Sequence, residues 1–258
     1  MTDVDLRPVA TPGPPRPHRR RWRWALTALL VVAAVVAVIG WRITRPPAPV
    51  SVPDVVDSYR SAPPGSSALL PAGLATGVYV YATSGTERVS AGNVVHHYPG
   101  RTTLAVTQRG CGVSARWDAL DGRWSRWQIC PTAAGWRLVS YVDTHTFLYL
   151  TDVHSYTCSG FPTVVCRTET GVLTSIVRPL GREDREVAGT TVQTVHLRIE
   201  QHATGASLSE GSVDVWVLPS GLPAALEIHD RGSQEVLGAR VTYTEAAEFT
   251  LTSTVPLR

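Results

Sequence analysis

The sequence predicts a mostly β protein: one large antiparallel sheet, curved into a half-barrel or folded over as a meander, with one or two short helices. A single transmembrane helix is expected in front of it. Three observations carry this. From Gly77 onward β-branched and aromatic residues recur with period two. Gly, Pro, Asn, Asp and Ser separate these runs about every ten residues. One uncharged apolar stretch, Trp24 to Trp41, has the length of a membrane span.

Residues 1–23 contain Pro8, Pro12, Pro14, Pro15 and Pro17, little apolar surface and six Arg. Such a segment buries too little to offset its ordering entropy, so a disordered tail is expected. Residues 24–41 would form a helix about 27 Å long, with Trp22, Trp24 and Trp41 at headgroup level. Arginines crowd its N-terminal flank, and only Arg42 and Arg45 follow closely. The positive-inside bias then puts the N-terminus in the cytoplasm and residues 42–258 outside, as a single-pass plasma-membrane protein. The alternative is a cleaved signal peptide, but no A-x-A site follows the apolar run; Val38-Ile39-Gly40 is the nearest. No cysteine lies near the helix, which excludes a lipid-modified N-terminal cysteine.

Residues 42–53 are Pro-rich and read as an extended linker. The extracytoplasmic domain is 54–258. Its short helices are expected at Asp54–Arg60 and Ser66–Leu70. Strands are expected at Gly77–Thr83, Arg101–Gln108, Gly112–Asp118, Arg123–Cys130, Gly135–Val142 and Thr146–Asp152. Further runs are Val172–Leu180, Thr190–His202, Ser212–Leu218, Pro223–Asp230, Val236–Thr244 and Glu248–Thr254. No helical pattern competes with them, and consecutive strands with tight turns favour a meander.

One hairpin is predicted in register. A four-residue turn, Ala119–Gly122, sets Cys111 opposite Cys130, Trp117 opposite Trp124 and Asp118 opposite Arg123. The four cysteines, Cys111, Cys130, Cys158 and Cys166, show no C-x-x-C spacing and no zinc pattern. In an oxidising compartment they are expected to pair in sequence, Cys111–Cys130 and Cys158–Cys166.

Composition excludes several functions. The chain has a net charge of +3, yet residues 46–258 hold sixteen Arg against nineteen Asp and Glu. The basic character belongs to the membrane flank, so the domain lacks a nucleic-acid binder's charge. All basic residues are Arg; without Lys there is no Schiff base, Ser–Lys dyad or P-loop lysine.

No catalytic or metal residues are assigned, and no cofactor is implied. His96-His97 is the densest polar cluster, in a loop between Gly92 and Gly100, but adjacent histidines on a strand face opposite ways. Ser114 and Ser159 lack the G-x-S-x-G elbow of a serine hydrolase. Asp118, Asp121, Asp143 and Asp152 show no spacing that fixes a glycosidase pair. The expectation is a non-enzyme, with a hydrolase as the weakest alternative.

The densest unusual feature is Trp117, Trp124, Trp127 and Trp136 alternating with Arg116, Arg123, Arg126 and Arg137. Tryptophans filling a β core under arginine stems would produce this pattern. So would an exposed stacking platform whose arginines read anionic groups. The candidate binding surface is Trp117, Trp124, Trp127, Arg116 and Arg126.

The C-terminal half carries a resemblance. Val213–Pro223 (VDVWVLPSGLP), Ala225–Ile228, Gly238–Tyr243 and Thr250–Pro256 resemble the closing strands of LolA-like lipoprotein-carrier domains, a group including mycobacterial lipoproteins of the LppX/LprG type. Gly77–Cys130 resembles a group of actinobacterial single-pass membrane-anchored proteins. The carrier resemblance implies a half-barrel whose concave face holds an acyl chain. This sequence departs from those carriers in having neither substantial covering helices nor a lipid-modified cysteine. The expected function is therefore a membrane-anchored envelope binding domain, holding a lipid or other hydrophobic ligand. The alternative is a filled-core module for an envelope protein partner.

Overall fold

The structure, a computed structural model, describes residues 29–38, 50–61, 74–90, 94–120, 123–133, 135–147, 150–205, 207–236 and 239–258. Met1–Arg42 and Ile43–Arg258 are separate units. In the first, residues 29–38 form helix α1, with every Leu and Val exposed. Among the described residues no helix is long and apolar enough to cross a membrane. The tail 1–23, both ends of the Trp24–Trp41 stretch, linker residues 42–49 and the expected Ser66–Leu70 helix lie outside the described residues.

The second unit opens with α2 (Val52–Ser61), which contains the expected Asp54–Arg60 and starts two residues earlier. Pro53 is tolerated there because a first-turn N–H has no helical partner. Val56 is its one buried side chain, and the helix packs against β1 and β3.

Thirteen strands follow among the described residues: β1 (Gly77–Val89), β2 (Val94–His97), β3 (Arg101–Arg109), β4 (Gly112–Leu120), β5 (Arg123–Thr132), β6 (Gly135–Phe147) and β7 (Leu150–Ser159). The remainder are β8 (Thr163–Arg167), β9 (Gly171–Val187), β10 (Thr190–Gly205), β11 (Ser207–Val217), β12 (Pro223–Val236) and β13 (Ala239–Leu251). Four expectations need correction. The loop around His96-His97 contains the short strand β2, and β8 was not expected at all. Of the runs Val236–Thr244 and Glu248–Thr254, Val236 ends β12, while residues 239–244 and 248–251 belong to one strand, β13, because Glu245-Ala-Ala-Glu248 has no Gly or Pro to break it. The run Thr146–Asp152 spans the end of β6 and the start of β7.

Strands adjacent in sequence are adjacent in the sheet except β2 and β3, which both pair with β1, and every pairing among the described residues is antiparallel. The sheet does not stay open. β13 pairs with β1 from Tyr81↔Leu251 to Val89↔Tyr243, so all strands except β2 form a closed ring. This corrects the expected half-barrel or folded-over meander to a closed barrel. Closure pairs the two long edges that an open sheet would expose. Gly85 sits in this seam at φ +132°, where an added Cβ would lie 2.3 Å from the Ala246 carbonyl oxygen. Only glycine permits so close an approach.

The predicted hairpin forms one residue out of register. Trp117 opposes Ser125 and Asp118 opposes Trp124, and a bulge between Asp118 and Leu120 then brings Leu120 opposite Arg123. A one-residue slip turns every side chain of one strand to the other face. Trp117 and Trp124 therefore lie on opposite sides of the wall. Both disulfides form as expected: Cys111–Cys130 with Cα atoms 5.3 Å apart and Cys158–Cys166 at 4.0 Å. Cys158 and Cys166 are direct cross-strand partners.

The core sits inside the ring between β1, β3, β4 and β13. Tyr79, Tyr81, Leu104, Trp117, Phe249 and Leu251 are all buried there. Trp117 packs on Tyr81 with centroids 4.7 Å apart and edge-on to Phe249 at 5.1 Å. The Tyr81 hydroxyl donates to the Pro223 carbonyl at 2.8 Å. A smaller cluster surrounds Cys158 and Cys166 with Val164, Leu138, Tyr141, Tyr156 and Leu173.

Candidate functional site

Alternation along β4 and β5 divides the five candidate binding residues over the two faces of the wall. Trp117 and Trp127 point inward, Trp117 within the core and Trp127 packed against it and stacked on Tyr141 at 6.1 Å. Arg116, Trp124 and Arg126 point outward. The Arg116 guanidinium lies 4.6 Å above the Trp124 ring, and that of Arg126 lies 5.8 Å away. Arg116 also grips Asp118 with two donors, at 3.0 and 2.8 Å. The expected single platform is thus a core pair and an outer row. The register slip is the reason.

The inside of the barrel changes character along its axis. Past the aromatic core, Arg123 sends its guanidinium inward to Glu87 on β1 (3.0 Å), Glu245 on β13 (2.7 Å) and the Tyr98 hydroxyl (3.1 Å). Tyr98 in turn donates to Glu245. Burial holds the Tyr98 phenol above its ordinary range, despite Arg123, so it stays a donor. Burial works against the charge on Arg123, but Glu245, Tyr98, Glu87 and Asp143 outweigh it and the guanidinium is held charged. His96 meets Glu87 at 3.2 Å. Sequence reasoning missed this cluster, because its members come from four separate strands and the Tyr98 bend.

Asp230 faces the same interior. Burial, then the charge of Glu245, raises its carboxyl above the usual range, against donors from the Arg231 backbone and Tyr243. The Tyr243 hydroxyl is 3.3 Å from Oδ2, while Oδ1 is buried with no hydrogen bond.

A second polar cluster lies where the β9–β10 hairpin runs beyond β8. The His196 ring is clamped between Glu183 (Nδ1–Oε1 2.7 Å) and Asp214 (Nε2–Oδ1 2.8 Å) and stacks on Trp216 at 4.4 Å. Trp216 Nε1 donates to Glu183 at 2.7 Å, and Arg185 covers the indole at 3.6 Å. A general base needs one ring nitrogen facing a reacting proton. Here both nitrogens are occupied by acids, so the cluster reads as a latch between β9, β10 and β11. Asp214 is held below the ordinary carboxylate range, first by the hydrogen bonds from Arg198 and against its own burial.

These two carboxylates give opposite pH dependences. For Asp230 the folded pKa is raised, so its proton is bound more tightly in the folded state. Stability is then lost as pH rises through the ordinary carboxylate range, about 3.9, toward the raised value. Asp230→Asn should be more stable than the parent at pH 7, with the gain vanishing below about pH 4. For Asp214 the folded pKa is depressed. Its contribution is present above about pH 4 and lost as pH falls through the lower value, so Asp214→Asn should flatten the acid limb. Urea midpoints from pH 3 to 8 check both; matching profiles for the two variants would refute the assignment.

Neither the serine nor the carboxylate constellations converge. Ser114 is buried within β4. Asp118 is held by Arg116, and Asp143 accepts from Ser125 at 2.7 Å. Asp121 and the side chain of Asp152 lie outside the described residues. Among the described residues no group of three His, Cys, Asp or Glu is placed to hold a metal. Compared with known proteins, the chain matches no family model, no curated protein and no solved structure.

Proposed function

We propose that the chain is a membrane-anchored, extracytoplasmic binding module whose barrel is a rigid scaffold with a filled interior. One observation carries this reading. The space that a carrier would keep for an acyl chain is occupied by Trp117 packed between Tyr81 and Phe249, and the next level is crossed by the Arg123–Glu87–Glu245 ion cluster. A lipid tail cannot lie among buried charges without separating them from their partners. The outer row Arg116–Trp124–Arg126 is then the binding face. The apolar, uncovered helix α1 supports the anchor, since a helix apolar all round requires an apolar environment.

Native mass spectrometry of the 43–258 fragment, with and without added phospholipid, tests the filled interior. The expected result is the bare polypeptide mass. A retained acyl lipid at one per chain would overturn this reading in favour of carriage.

A further inference from the structure

We propose that the outer face of β3–β6 docks on a bilayer surface bearing anionic phosphate headgroups. This rests on the reading of the chain as an anchored binding module. Strand alternation and register place Arg101 and Arg109 of β3, Arg116 of β4, Arg126 of β5 and Arg137 of β6 on that face. Among the described residues its one acid is Asp118, already gripped by Arg116. Nineteen acids outnumber sixteen arginines over residues 46–258. Five arginines against one acid is therefore a concentration of positive charge on a domain of the opposite sign.

The face is also uncompensated. Arg126 forms no ion pair or hydrogen bond among the described residues and rests on Trp124. Burial, then the charges of Arg109 and Arg116, push its guanidinium below the usual range. Arg101, Arg109 and Arg137 are exposed, and their side chains have no ion pair or hydrogen bond among the described residues.

Phosphate suits this arrangement because a guanidinium offers a planar fork of donors to phosphate oxygens. A surface suits it better than a pocket, because the charges are spread along the strands and enclose nothing. Arg101 and Arg109 stand at opposite ends of β3, about 27 Å apart at ~3.4 Å per residue. The bilayer is favoured over a soluble partner by the tether. The helix α2 packs against β3, the first strand of this face, and the stretch 43–51 before it contains Pro46, Pro47 and Pro49. Nine residues even at the fully extended limit of ~3.6 Å per residue span no more than about 32 Å. A membrane anchor joined through so few residues raises the effective concentration of headgroups at the domain. Each arginine near an anionic surface strengthens binding roughly fivefold, and salt screens it.

The test is cosedimentation of the 43–258 fragment, which closes its own sheet, core and both disulfides, with vesicles. One set is phosphatidylcholine alone; the other contains about 30% phosphatidylglycerol, each at about 0.1 and 0.5 M NaCl. Binding should be at least about tenfold tighter to the anionic vesicles and lost at high salt. Arg109→Glu with Arg126→Glu should weaken it at least about tenfold. Arg231→Glu with Arg240→Glu, the same charge change on β12 and β13, should stay within about twofold. Matching urea midpoints, and the milder Arg109→Ala with Arg126→Ala, separate lost docking from misfolding. Equal binding to both vesicle types, or equal loss in both Glu pairs, would overturn the proposal. Binding of soluble polyphosphate but not of vesicles would also overturn it, in favour of a free polyanion. Lipid retention in native mass spectra bears on the filled interior alone, so the two failures are distinguishable.

Discussion

Replacing Arg123 by Met should cost about 3–5 kcal/mol of stability, the range for removing one partner of a buried ion cluster. Glu87 and Glu245 are direct cross-strand partners in the seam that closes the barrel. Two carboxylates facing each other across a ladder repel, and the Glu245 side chain is only 3% exposed. Arg123 reaches both from the first position of β5 and adds a hydrogen bond to Tyr98. Its loss takes away the cation these two acids share at the point where the first and last strands meet, leaving Glu245 with Tyr98 and Glu87 with His96. Adding Glu87→Gln and Glu245→Gln to Arg123→Met should recover much of the loss, because the cost lies in the stranded charges. Urea unfolding of the parent and these two variants measures this. A loss below about 1 kcal/mol for Arg123→Met would place the pair among ordinary surface bridges.

Much of the architecture was legible in the sequence. The period-two runs located most strands, and the even count of widely spaced cysteines led to the observed pairing. Closure was not legible. The β1–β13 pairing joins residues more than 150 positions apart, and no local pattern reports so remote a partner. Nor was β2 visible, since VVHH is too short to show alternation. Bulges hid more. The slip at Asp118–Leu120 cost no turn signal, yet it sent Arg123 inside the barrel, where the sequence had paired it with Asp118. The candidate surface suffered the same way: residue types flagged the hairpin, while the sorting of its tryptophans depended on a register that one residue decides.

That sorting sets the second large effect. Trp117→Ala should cost about 3–5 kcal/mol, as for a buried Trp truncated in a well-packed core. The residue is 6% exposed and holds Tyr81 and Phe249 apart at the centre of the cluster, so its removal leaves a cavity that the closed wall cannot collapse to fill. Trp124→Ala, seven positions on, should cost no more than about 1 kcal/mol, the scale of a surface cation–π contact. Its ring rests under Arg116 and Arg126 on the far side of the wall. In the register expected from the sequence the two tryptophans face each other, and both truncations would cost alike. Urea midpoints decide between the registers. Equal losses would restore the symmetric hairpin and return Trp124 to the core, whereas a gap of 2 kcal/mol or more, roughly the difference between core and surface sites, leaves Trp124 free to act outward with its arginines.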